Sequence, residues 1–480
     1  MDRRLTFGGV ALLGALLLAL RERGRDREPP RLPRPETARH HVVVLGGGFG
    51  GLYTVKRLAH TFEHDPDVAI TLIDRRNYHL FTPMLPLVAG GLVQPRNVVY
   101  PIRRLSVSHP FLFREGEITD VDLEHRLVYT STGVVPYTTL VLALGSETNY
   151  FGLESVRRVA YPFKTVGDAM RLRNHVIDLF EQAALEQDPG RRRELLTFVV
   201  AGGGATGVEV AAELHDFIHH SLVENYPNLS FDEVSIYLVE AKDRVLPNLD
   251  PGLSKLAHES LRAKGVEVLL QTAVRGASQT AVELADGRRI PTRTVVWVTG
   301  IKGNPVVEAL PVPHGKGGTV VVNEFLQVEG RPEVFALGDN AWCLDPRTRR
   351  PLPPDAKIAV QQAEYVARNV AHAIRGEPLE PFEYRYIGEI IPLGNFNAVA
   401  EVYGFKLAGF PAWVAWRLFY LNRLQGLKNR VRVVVDWLLA FVFPRDTSRL
   451  EQPAAPPEHV APVAAARTAA SAPPPRPPAS

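Results

Sequence analysis

Two glycine-rich segments have the spacing that lets a backbone approach the pyrophosphate of a dinucleotide. Each follows a β-branched apolar run and opens a stretch with helical spacing. Their glycines are Gly46, Gly48 and Gly51 in the first segment, and Gly202, Gly204 and Gly207 in the second. The first glycine of such a set permits a tight turn, the second admits the pyrophosphate, and the third lets helix and strand pack closely. Both segments therefore predict a strand, a phosphate-binding turn and a helix whose N-terminus attracts anions.

An acidic residue follows each glycine set at the end of another apolar strand. The run VAITLID ends at Asp74, and the run SIYLVE ends at Glu240 after an insertion. A carboxylate at this place accepts hydrogen bonds from ribose hydroxyls and repels a 2′-phosphate. The sequence thus predicts two dinucleotide sites, and Glu240 favours NADH over NADPH at the second site.

The elements that must position these groups imply one domain interrupted by another. The strand in TTLVLALGS ends in a small-residue turn at Gly145, and the strand in EVFALGD ends at Gly338 and Asp339. We therefore predict an α/β fold with two Rossmann-like domains, the first holding a large cofactor and the second a dissociable one. The predicted ranges are 40–160 and 311–395 for the first domain, and 161–310 for the second.

Residue counts exclude several classes of protein. The 480 residues carry 55 basic and 52 acidic side chains, a balance that argues against nucleic-acid binding. A single cysteine, Cys343, excludes an internal disulfide, a thiolate zinc cluster and a dithiol redox pair. His215 and His219 are spaced to ligate a metal. Because His220 and Asp216 accompany them, we interpret the group as a solvated helix face and predict no metal site.

The two ends of the chain differ in composition from the rest. Segment 1–20 is dominated by an uncharged apolar run, which predicts a signal anchor or an embedded helix, with cleavage as the alternative. Segment 21–39 is a charged linker whose seven arginines outweigh Arg3 and Arg4, so the positive-inside rule places the rest of the chain on the cytoplasmic face. Residues 450–480 are rich in proline and alanine and predict a disordered tail.

Segment 396–449 contains a stripe of large apolar residues at helical spacing. The stripe consists of Trp413, Trp416, Tyr420, Leu424, Leu427 and Val431, and a second run includes Trp437 and Phe443. The basic residues among them are Arg417, Arg423, Lys428, Arg430 and Arg432. Such a helix suits the headgroup region of an anionic leaflet, so we predict membrane association. A core-packed helix and a dimer interface are the alternatives, and charges interrupt both runs too soon for a membrane span.

Several longer stretches have the order and spacing of one flavoprotein family. They are LIDRRNYHLFTPMLPLVAGG, LVLALGSETNYFG, PFKTVGDAMRLRNHV, GGGATGVEVAAEL, VVWVTGIKGNP, FALGDNA, AVQQA and LAGFPAWVAWRLFYLNRL. Over residues 40–449 the chain resembles the type II NADH:quinone oxidoreductases, single-subunit enzymes that do not pump protons. They form part of the superfamily of flavoproteins with two dinucleotide sites.

The resemblance implies that FAD occupies the first site and NADH the second. The residues implied to bind FAD are Gly46, Gly48, Gly50, Gly51, Asp74, Arg75, Gly145, Gly338 and Asp339. Those implied to bind NADH are Gly202, Gly204, Gly207 and Glu240. Glu209 matches a family glutamate close to the nicotinamide and flavin, although a carboxylate near a helix N-terminus is also favoured by the helix dipole.

One departure from the family falls where the quinone head group meets the flavin. The family usually carries Ala-Gln-x-Ala-x-Gln-Gln there, and Lys357 replaces the first glutamine, whereas Gln361 and Gln362 are retained. The lysine could stabilise a developing hydroquinone anion, pair with Glu209, or exclude ubiquinone-like acceptors. The candidate catalytic residues are Glu209, Lys357, Gln361 and Gln362.

The combined prediction is an FAD-dependent NADH dehydrogenase of a respiratory chain. A hydride would pass from NADH to FAD, and the electrons would then pass to a membrane quinone without proton pumping. The predicted partners are NADH, the quinone, the membrane surface and a second copy in a homodimer. One alternative is an NAD(P)H-dependent reductase with a soluble electron acceptor. The other is a non-catalytic flavin-binding membrane scaffold or redox sensor.

Overall fold

The apolar run before each glycine turn forms a buried strand within a parallel sheet. The computed structural model describes residues 34–449. The strands of the three main sheets are β1 (His40–Leu45), β2 (Val68–Asp74), β3 (Leu112–Glu115), β4 (Thr139–Leu142), β5 (Tyr161–Pro162), β6 (Thr197–Ala201), β7 (Ser235–Val239), β8 (Val266–Leu269), β9 (Thr294–Trp297), β10 (Gln327–Val328), β11 (Arg331–Ala336), β12 (Gly388–Pro392), β13 (Ala398–Val402) and β14 (Phe405–Ala408). The longer helices are α1 (Phe49–Thr61), α2 (Val166–Leu185), α3 (Ala205–Phe217), α4 (Pro251–Ala263), α5 (Ala356–Arg375), α6 (Phe410–Arg423) and α7 (Leu427–Leu439).

Shorter elements connect these layers. The small antiparallel strands are Tyr78–Leu80 with Val99–Pro101, then Ile118–Asp122, Leu127–Thr130 and Gly133–Pro136, then Val274–Ala277, Ala281–Leu284 and Arg289–Pro291. A small parallel pair joins Val320–Val321 to Ala341–Trp342. The short helices are Leu85–Ala89, Ile102–Ser106, Glu154–Val159, Pro189–Leu195 and Pro305–Glu308.

The first sheet has the strand order β10-β11-β4-β1-β2-β3 and is parallel except for β10. Leu52 and Val55 of α1 share one buried cluster with Val366 and Val370 of α5, so these two helices cover one face. Parallel strands covered on both faces read as continuous apolar runs, which is why β1 lacks alternation. The carboxyl ends of β1, β4 and β11 meet at one edge.

The second sheet has the order β5-β9-β6-β7-β8 and all of its strands are parallel. Helix α2 leads away from β5 and begins with a capping box, in which the Asp168 amide donates to Thr165 Oγ1 at 3.1 Å and the Thr165 amide donates to Asp168 Oδ2 at 2.7 Å. The predicted range 161–310 encloses all five strands. The inserted unit is therefore a second Rossmann-like layer.

The chain crosses between the two sheets on a pair of short strands. Ser146–Thr148 leaves the first sheet and pairs antiparallel with Ile301–Gly303, which returns to it. Lys164, just past β5, donates from Nζ to the Ser146 carbonyl at 2.8 Å. The carboxyl edges of the two sheets therefore meet at this crossing.

The C-terminal region is an antiparallel sheet, β12-β13-β14, followed by α6 and α7. The predicted boundary between residues 395 and 396 falls in the connection between β12 and β13. Among the helices of residues 34–449, none combines the length and apolar character needed to cross a bilayer. The predicted anchor, most of the linker and the predicted tail lie outside the described residues.

Only two of the six residues in the aromatic stripe predicted for membrane contact are exposed, so that interpretation needs correction. Trp413, Trp416 and Leu424 are buried, whereas Leu427 and Val431 are exposed as expected. Helical spacing identifies one face of a helix but not the layer that covers it. Here β12–β14 and the first domain cover the aromatic side. The exposed residues form what we call the outer face: Leu418, Leu427, Val431, Val435, Leu438, Leu439, Phe441, Val442 and Phe443.

The predicted solvated histidine face is also wrong for two of its residues. His215 and Asp216 are buried, and only His219 and His220 are exposed. His215 Nδ1 lies 2.8 Å from Asp216 Oδ1, and Lys264 Nζ donates to the same oxygen at 2.5 Å. Although burial favours the neutral acid, these two partners hold the pKa of Asp216 well below its usual range. The carboxylate thus joins α3 to the end of α4.

Candidate active site

The first glycine turn has the shape of a pyrophosphate cradle. Gly46 has φ of +101°, and a Cβ there would lie 2.8 Å from the Ala143 carbonyl carbon. A Cβ at Gly51 would overlap the Gly46 carbonyl oxygen, whereas a Cβ at Gly48 would meet no atom within 4 Å. The first and third glycines are therefore needed by the fold, and the second leaves space for a ligand. This space at the N-terminus of α1 fits the pyrophosphate of FAD.

Asp74 holds the backbone of this turn as well as standing where a ribose would bind. Its Oδ2 accepts from the Gly47 amide at 2.6 Å, and its Oδ1 accepts from the Arg76 amide at 2.7 Å. The buried ring of His79 lies 3.0 Å, through Nδ1, from the Gly47 carbonyl oxygen. Burial lowers the pKa of His79 to about 4, so the ring is neutral and donates from this nitrogen.

The second turn repeats the first in detail. Gly202 has φ of +116°, a Cβ at Gly207 would overlap the Gly202 carbonyl oxygen, and a Cβ at Gly204 would meet no atom within 4 Å. Glu240 Oε2 accepts from the Gly203 amide at 2.6 Å, and Oε1 accepts from the Lys242 amide at 2.8 Å. The structure thus brings the predicted glycines and acid together in both sites.

Asp339 lies where the two sheets meet. Its Oδ2 accepts from Ser146 Oγ at 2.5 Å, and Ser146 Oγ accepts from Lys164 Nζ at 2.6 Å. Burial lowers the pKa of Lys164, although the nearby carboxylate of Asp339 opposes that shift. The fully buried Asn340 accepts from the Leu144 amide at 3.2 Å and donates to the Gly145 carbonyl at 2.9 Å. The ends of β4 and β11 are therefore joined around one carboxylate.

The other residues implied to bind FAD occupy three different settings. Gly145 and Gly338 both have positive φ, +72° and +64°, at the ends of β4 and β11. A Cβ at Gly50 would lie 3.0 Å from Leu337 Cδ1, so this glycine serves helix packing. Arg75 is half exposed and its Nη1 lies 3.5 Å from Glu117 Oε1. Gly145 and Gly338 thus form turns that line the site, whereas Gly50 lets α1 pack closely against Leu337.

Glu209 lies on the second turn of α3, two residues after the third glycine. Burial, followed by the negative charges of Glu213 and Glu389, raises the pKa of Glu209 well above its ordinary value. Within residues 34–449 its side chain has no hydrogen-bond or ion-pair partner. Glu209 also raises the pKa of Tyr420 on α6, an effect second to that of burial. Burial and nearby negative charge both favour the neutral, protonated form of this carboxyl group.

Lys357 pairs with carboxylates other than Glu209. Its Nζ donates to the Gly388 carbonyl at 2.8 Å and lies 3.3 Å from Asp355 Oδ2 and 3.6 Å from Glu389 Oε1. Burial raises the pKa of Glu389, and the charge of Lys357 lowers it. Among the described residues Lys357 is linked to Glu209 through Glu389, because Glu389 raises the pKa of Glu209 and pairs with Lys357.

Gln361 and Gln362 use their amides to hold backbone. Gln361 Nε2 donates to the Arg385 carbonyl at 3.0 Å, and its Oε1 accepts from the Arg385 amide at 3.1 Å. The buried Gln362 accepts from the Gly338 amide at 2.7 Å. Burial raises the pKa of the Cys343 thiol to about 11, and a hydrogen bond donated by Gln362 partly offsets that shift. Both glutamines act on the segments around the site.

Sequence reasoning missed three residues that build the site. His79 supports the first turn, and Lys164 and Asn340 join the edges of the sheets. Each lies in a stretch that matches the family, but a lone histidine, lysine or asparagine has no spacing that indicates its partner. Their partners lie 32, 18 and 195 residues away, so only the fold identifies them.

Comparisons with known proteins agree with this geometry. The family model of the pyridine nucleotide-disulphide oxidoreductases matches residues 40–363, and that of the NDH2 C-terminal domain matches residues 386–446. The type II NADH:quinone oxidoreductase Ndh of Mycobacterium tuberculosis is 32% identical over 434 residues, which cover 87% of this chain and 90% of that protein. The demethylphylloquinone reductase NdbB of Synechocystis is 32% identical over 410 residues, which cover 84% of this chain and 96% of that protein.

Solved structures give the same fold. NDH2 from Plasmodium falciparum in complex with NADH matches with a TM-score of 0.79 at 21% identity. The match covers 85% of this chain and 100% of that chain. Both dinucleotide turns and the crossing strands fall within the match to the first family model, and the C-terminal sheet and helices α6 and α7 fall within the match to the second. The chain therefore belongs to the type II NADH:quinone oxidoreductase family of pyridine nucleotide-disulphide oxidoreductases.

Proposed function

We propose that FAD binds at the first glycine turn and NADH at the second, so that the protein oxidises NADH and reduces a quinone. The observation that carries this assignment is the duplicated turn, with space beside Gly48 and Gly204 and a carboxylate holding each loop. FAD, when bound, would accept a hydride from NADH and release the electrons to the quinone. The protein itself supplies positions and charges.

At the meeting point of the sheets, the side chains orient the flavin cofactor. Asp339 accepts a hydrogen bond from Ser146, and its free lone pairs can accept from the sugar-alcohol hydroxyls of FAD. Lys164 keeps Ser146 in place through two hydrogen bonds. Gln362 holds the Gly338 amide, so its contribution is to fix the turn that carries Asp339.

Glu209 is assigned as a proton-holding group near the nicotinamide. Burial and the charges of Glu213 and Glu389 raise its pKa and so favour the neutral acid, which does not repel an electron-rich donor. The charge of Glu389 raises the pKa of Glu209, and the charge of Glu209 raises the pKa of Tyr420. Lys357 acts on this group through Glu389, and Gln361 keeps the segment before β12 in register.

We also propose where the domains divide. Residues 40–160 and 311–385 form the FAD domain, and residues 161–310 form the NADH domain. The third unit is 386–449 rather than 396–449, because β12 pairs with β13 along five residue pairs. This division keeps the antiparallel sheet in one unit.

The outer face is assigned as a membrane-docking surface on the cytoplasmic side. On α7, Leu427, Val431 and Val435 are exposed at helical spacing, and Lys428 and Arg432 are exposed beside them. An apolar strip with a basic margin fits an anionic lipid surface. The cytoplasmic side is supported by the arginines of the linker, which lie mostly outside the described residues.

Vesicle binding tests this surface. The full chain should co-sediment with vesicles that contain anionic lipid, and Val435→Asp should reduce the bound fraction several-fold without changing FAD content. Leu185→Asp is the matched control, because Leu185 is an exposed leucine on α2 and is not one of the outer-face residues. Loss of self-association in Val435→Asp with unchanged vesicle binding would instead assign the face to a homodimer.

Anaerobic stopped-flow absorbance tests the activity. NADH should bleach the flavin spectrum rapidly, and added quinone should restore it at a rate that accounts for steady-state turnover. Slow recovery with every quinone and fast recovery with a soluble acceptor would contradict the quinone assignment. A spectrum unchanged by NADH and NADPH would leave a flavin-binding scaffold as the remaining function.

A further inference from the structure

Phe151 combines an exposed ring with a strained backbone beside the second nucleotide site. Its side chain is 60% exposed, and its φ is +51°, a region that bulky residues rarely adopt. It follows the crossing strand Ser146–Thr148 by three residues. Strained non-glycine residues persist where the surrounding structure fixes them, and they cluster at functional sites.

The ring lies against Gly300 at the carboxyl edge of the second sheet. A Cβ at Gly300 would overlap the tip of the Phe151 ring and would lie 2.9 Å from Cε2. Two residues earlier, the Val298 carbonyl oxygen is 2.9 Å from the position of a Cβ on Gly202. The ring therefore stands beside the turn proposed to hold the NADH pyrophosphate.

The backbone of Phe151 is anchored, although its ring is exposed. The Phe151 amide donates to Asn149 Oδ1 at 2.8 Å, and the Asn149 amide donates to the Gly300 carbonyl at 3.1 Å. Trp297 Nε1 donates to the Asn149 carbonyl at 2.8 Å, and Tyr150 stacks on the same indole at 6.0 Å. The anchoring presents one aromatic ring at a fixed place on the nucleotide edge.

The position of the ring relative to Asp339 indicates which half of the dinucleotide it meets. The strand before Phe151 begins at Ser146, which bonds to Asp339 at 2.5 Å. The adenine half of NADH belongs with Glu240, on the far side of the pyrophosphate turn. The nicotinamide half must therefore run from Gly204 towards Asp339, past Gly300 and Phe151.

We propose that the Phe151 ring packs against the nicotinamide half of NADH and covers it during hydride transfer. The inference rests on the proposed placement of NADH at the second turn. Burying an exposed aromatic surface on a ligand contributes affinity without a polar contact, and it keeps water from the reacting end. Phe151 is thus a residue that positions the substrate for hydride transfer.

The test compares NADH with ADP-ribose, which lacks the nicotinamide. In the FAD-loaded Phe151→Ala protein, the Kd of NADH for the flavin-reduction step should rise about tenfold, whereas the inhibition constant of ADP-ribose should stay within about twofold. Reoxidation by quinone should be unchanged. Tyr403→Ala is the matched control, because Tyr403 has φ of +49°, is 73% exposed and precedes a glycine on the hairpin between β13 and β14.

Phe151→Gly separates a contact with NADH from a structural role. Glycine adopts the positive φ without strain, so this variant should match or exceed the thermal stability of the unmodified protein while binding NADH as weakly as Phe151→Ala. Phe151→Tyr keeps the aromatic ring and should bind NADH with the affinity of the unmodified protein.

Three results would overturn the inference. Unchanged NADH affinity in both variants would show that the ring makes no contact with the nucleotide. A parallel loss of ADP-ribose and NADH affinity would show a distorted turn. If ADP-ribose does not compete with NADH in the unmodified protein, the placement at the second turn fails, and the inference fails with it.

Discussion

Replacing Lys357 by glutamine, the usual family residue, tests how charge is distributed in the site. The change removes the cation that lies 3.6 Å from Glu389 and 3.3 Å from Asp355. Glu389 is then left mostly buried without its partner. We expect its pKa to rise further above the ordinary value, because Lys357 is the group that lowers it.

The size of the effect follows from the distance and the burial. Two unit charges 3.6 Å apart interact by about 4–5 kcal/mol at an effective dielectric constant of about 20, and by about 1 kcal/mol in bulk water. Both side chains are about three-quarters buried, 27% and 23% exposed, so a coupling of about 2 kcal/mol lies between these limits. For a domain of this size, that coupling lowers Tm by several degrees.

The pH dependence has a definite sign. A carboxyl group whose folded pKa is raised makes the protein less stable as pH rises from its unfolded pKa to its folded pKa. The stability deficit of Lys357→Gln should therefore be larger at pH 8 than at pH 5. Thermal unfolding of the FAD-loaded protein at both pH values measures it.

A double-mutant cycle supplies the control. In a Glu389→Gln background, Lys357→Gln should lower the free energy of unfolding by about 2 kcal/mol less than it does in the unmodified chain. Lys357→Arg, which keeps the positive charge, should retain most of the stability. The link between Lys357 and Glu389 would be refuted if Lys357→Gln lost the same stability at pH 5 and pH 8. It would also be refuted if the double-mutant cycle gave an interaction energy of zero.

Three further predictions concern other parts of the molecule. Glu240→Ala should lower the ratio of kcat/KM for NADH to that for NADPH by about tenfold, and an unchanged ratio would reject the role of this carboxylate. Gly48→Val should leave a folded protein with reduced FAD content, whereas Gly51→Val should not fold, because its side chain would meet the backbone; equal FAD content in Gly48→Val would contradict the assigned cradle. Arg445→Met should lower the free energy of unfolding by about 3–5 kcal/mol, because Glu213 is left buried without the partner 2.9 Å away; a loss below about 1 kcal/mol would show that water compensates.

The sequence predicted those parts of the site whose function depends on local spacing. Each glycine set specifies its own strand, turn and helix, so the spacing alone was enough to place Asp74 and Glu240 at the ends of the neighbouring strands. The second role of these acids, holding the amides of Gly47 and Gly203, depends on the exact path of the turn and became apparent only from the fold.

Partnerships across long stretches of chain could not be predicted in the same way. The helical pattern around Asp216 suggests a solvated side chain, yet Asp216 is buried by partners 48 and 179 residues away, at Lys264 and Asn395. The same limit applies to α6, because its periodicity is satisfied by either a membrane or a protein layer. Lys357 had three interpretations, and its pairing with Glu389 depends on where β12 folds back.

The buried ion pair between Arg445 and Glu213 has a consequence for synthesis of the chain. Its partners are 232 residues apart, so the ribosome delivers the acid long before the base. Domains fold from the N-terminus during translation, and the emerging NADH domain carries an uncompensated carboxyl group inside its helix layer. The final segment that the structure describes thus completes a unit made much earlier. A nascent chain that ends before residue 445 should therefore be cleaved by proteases faster than one that extends past it.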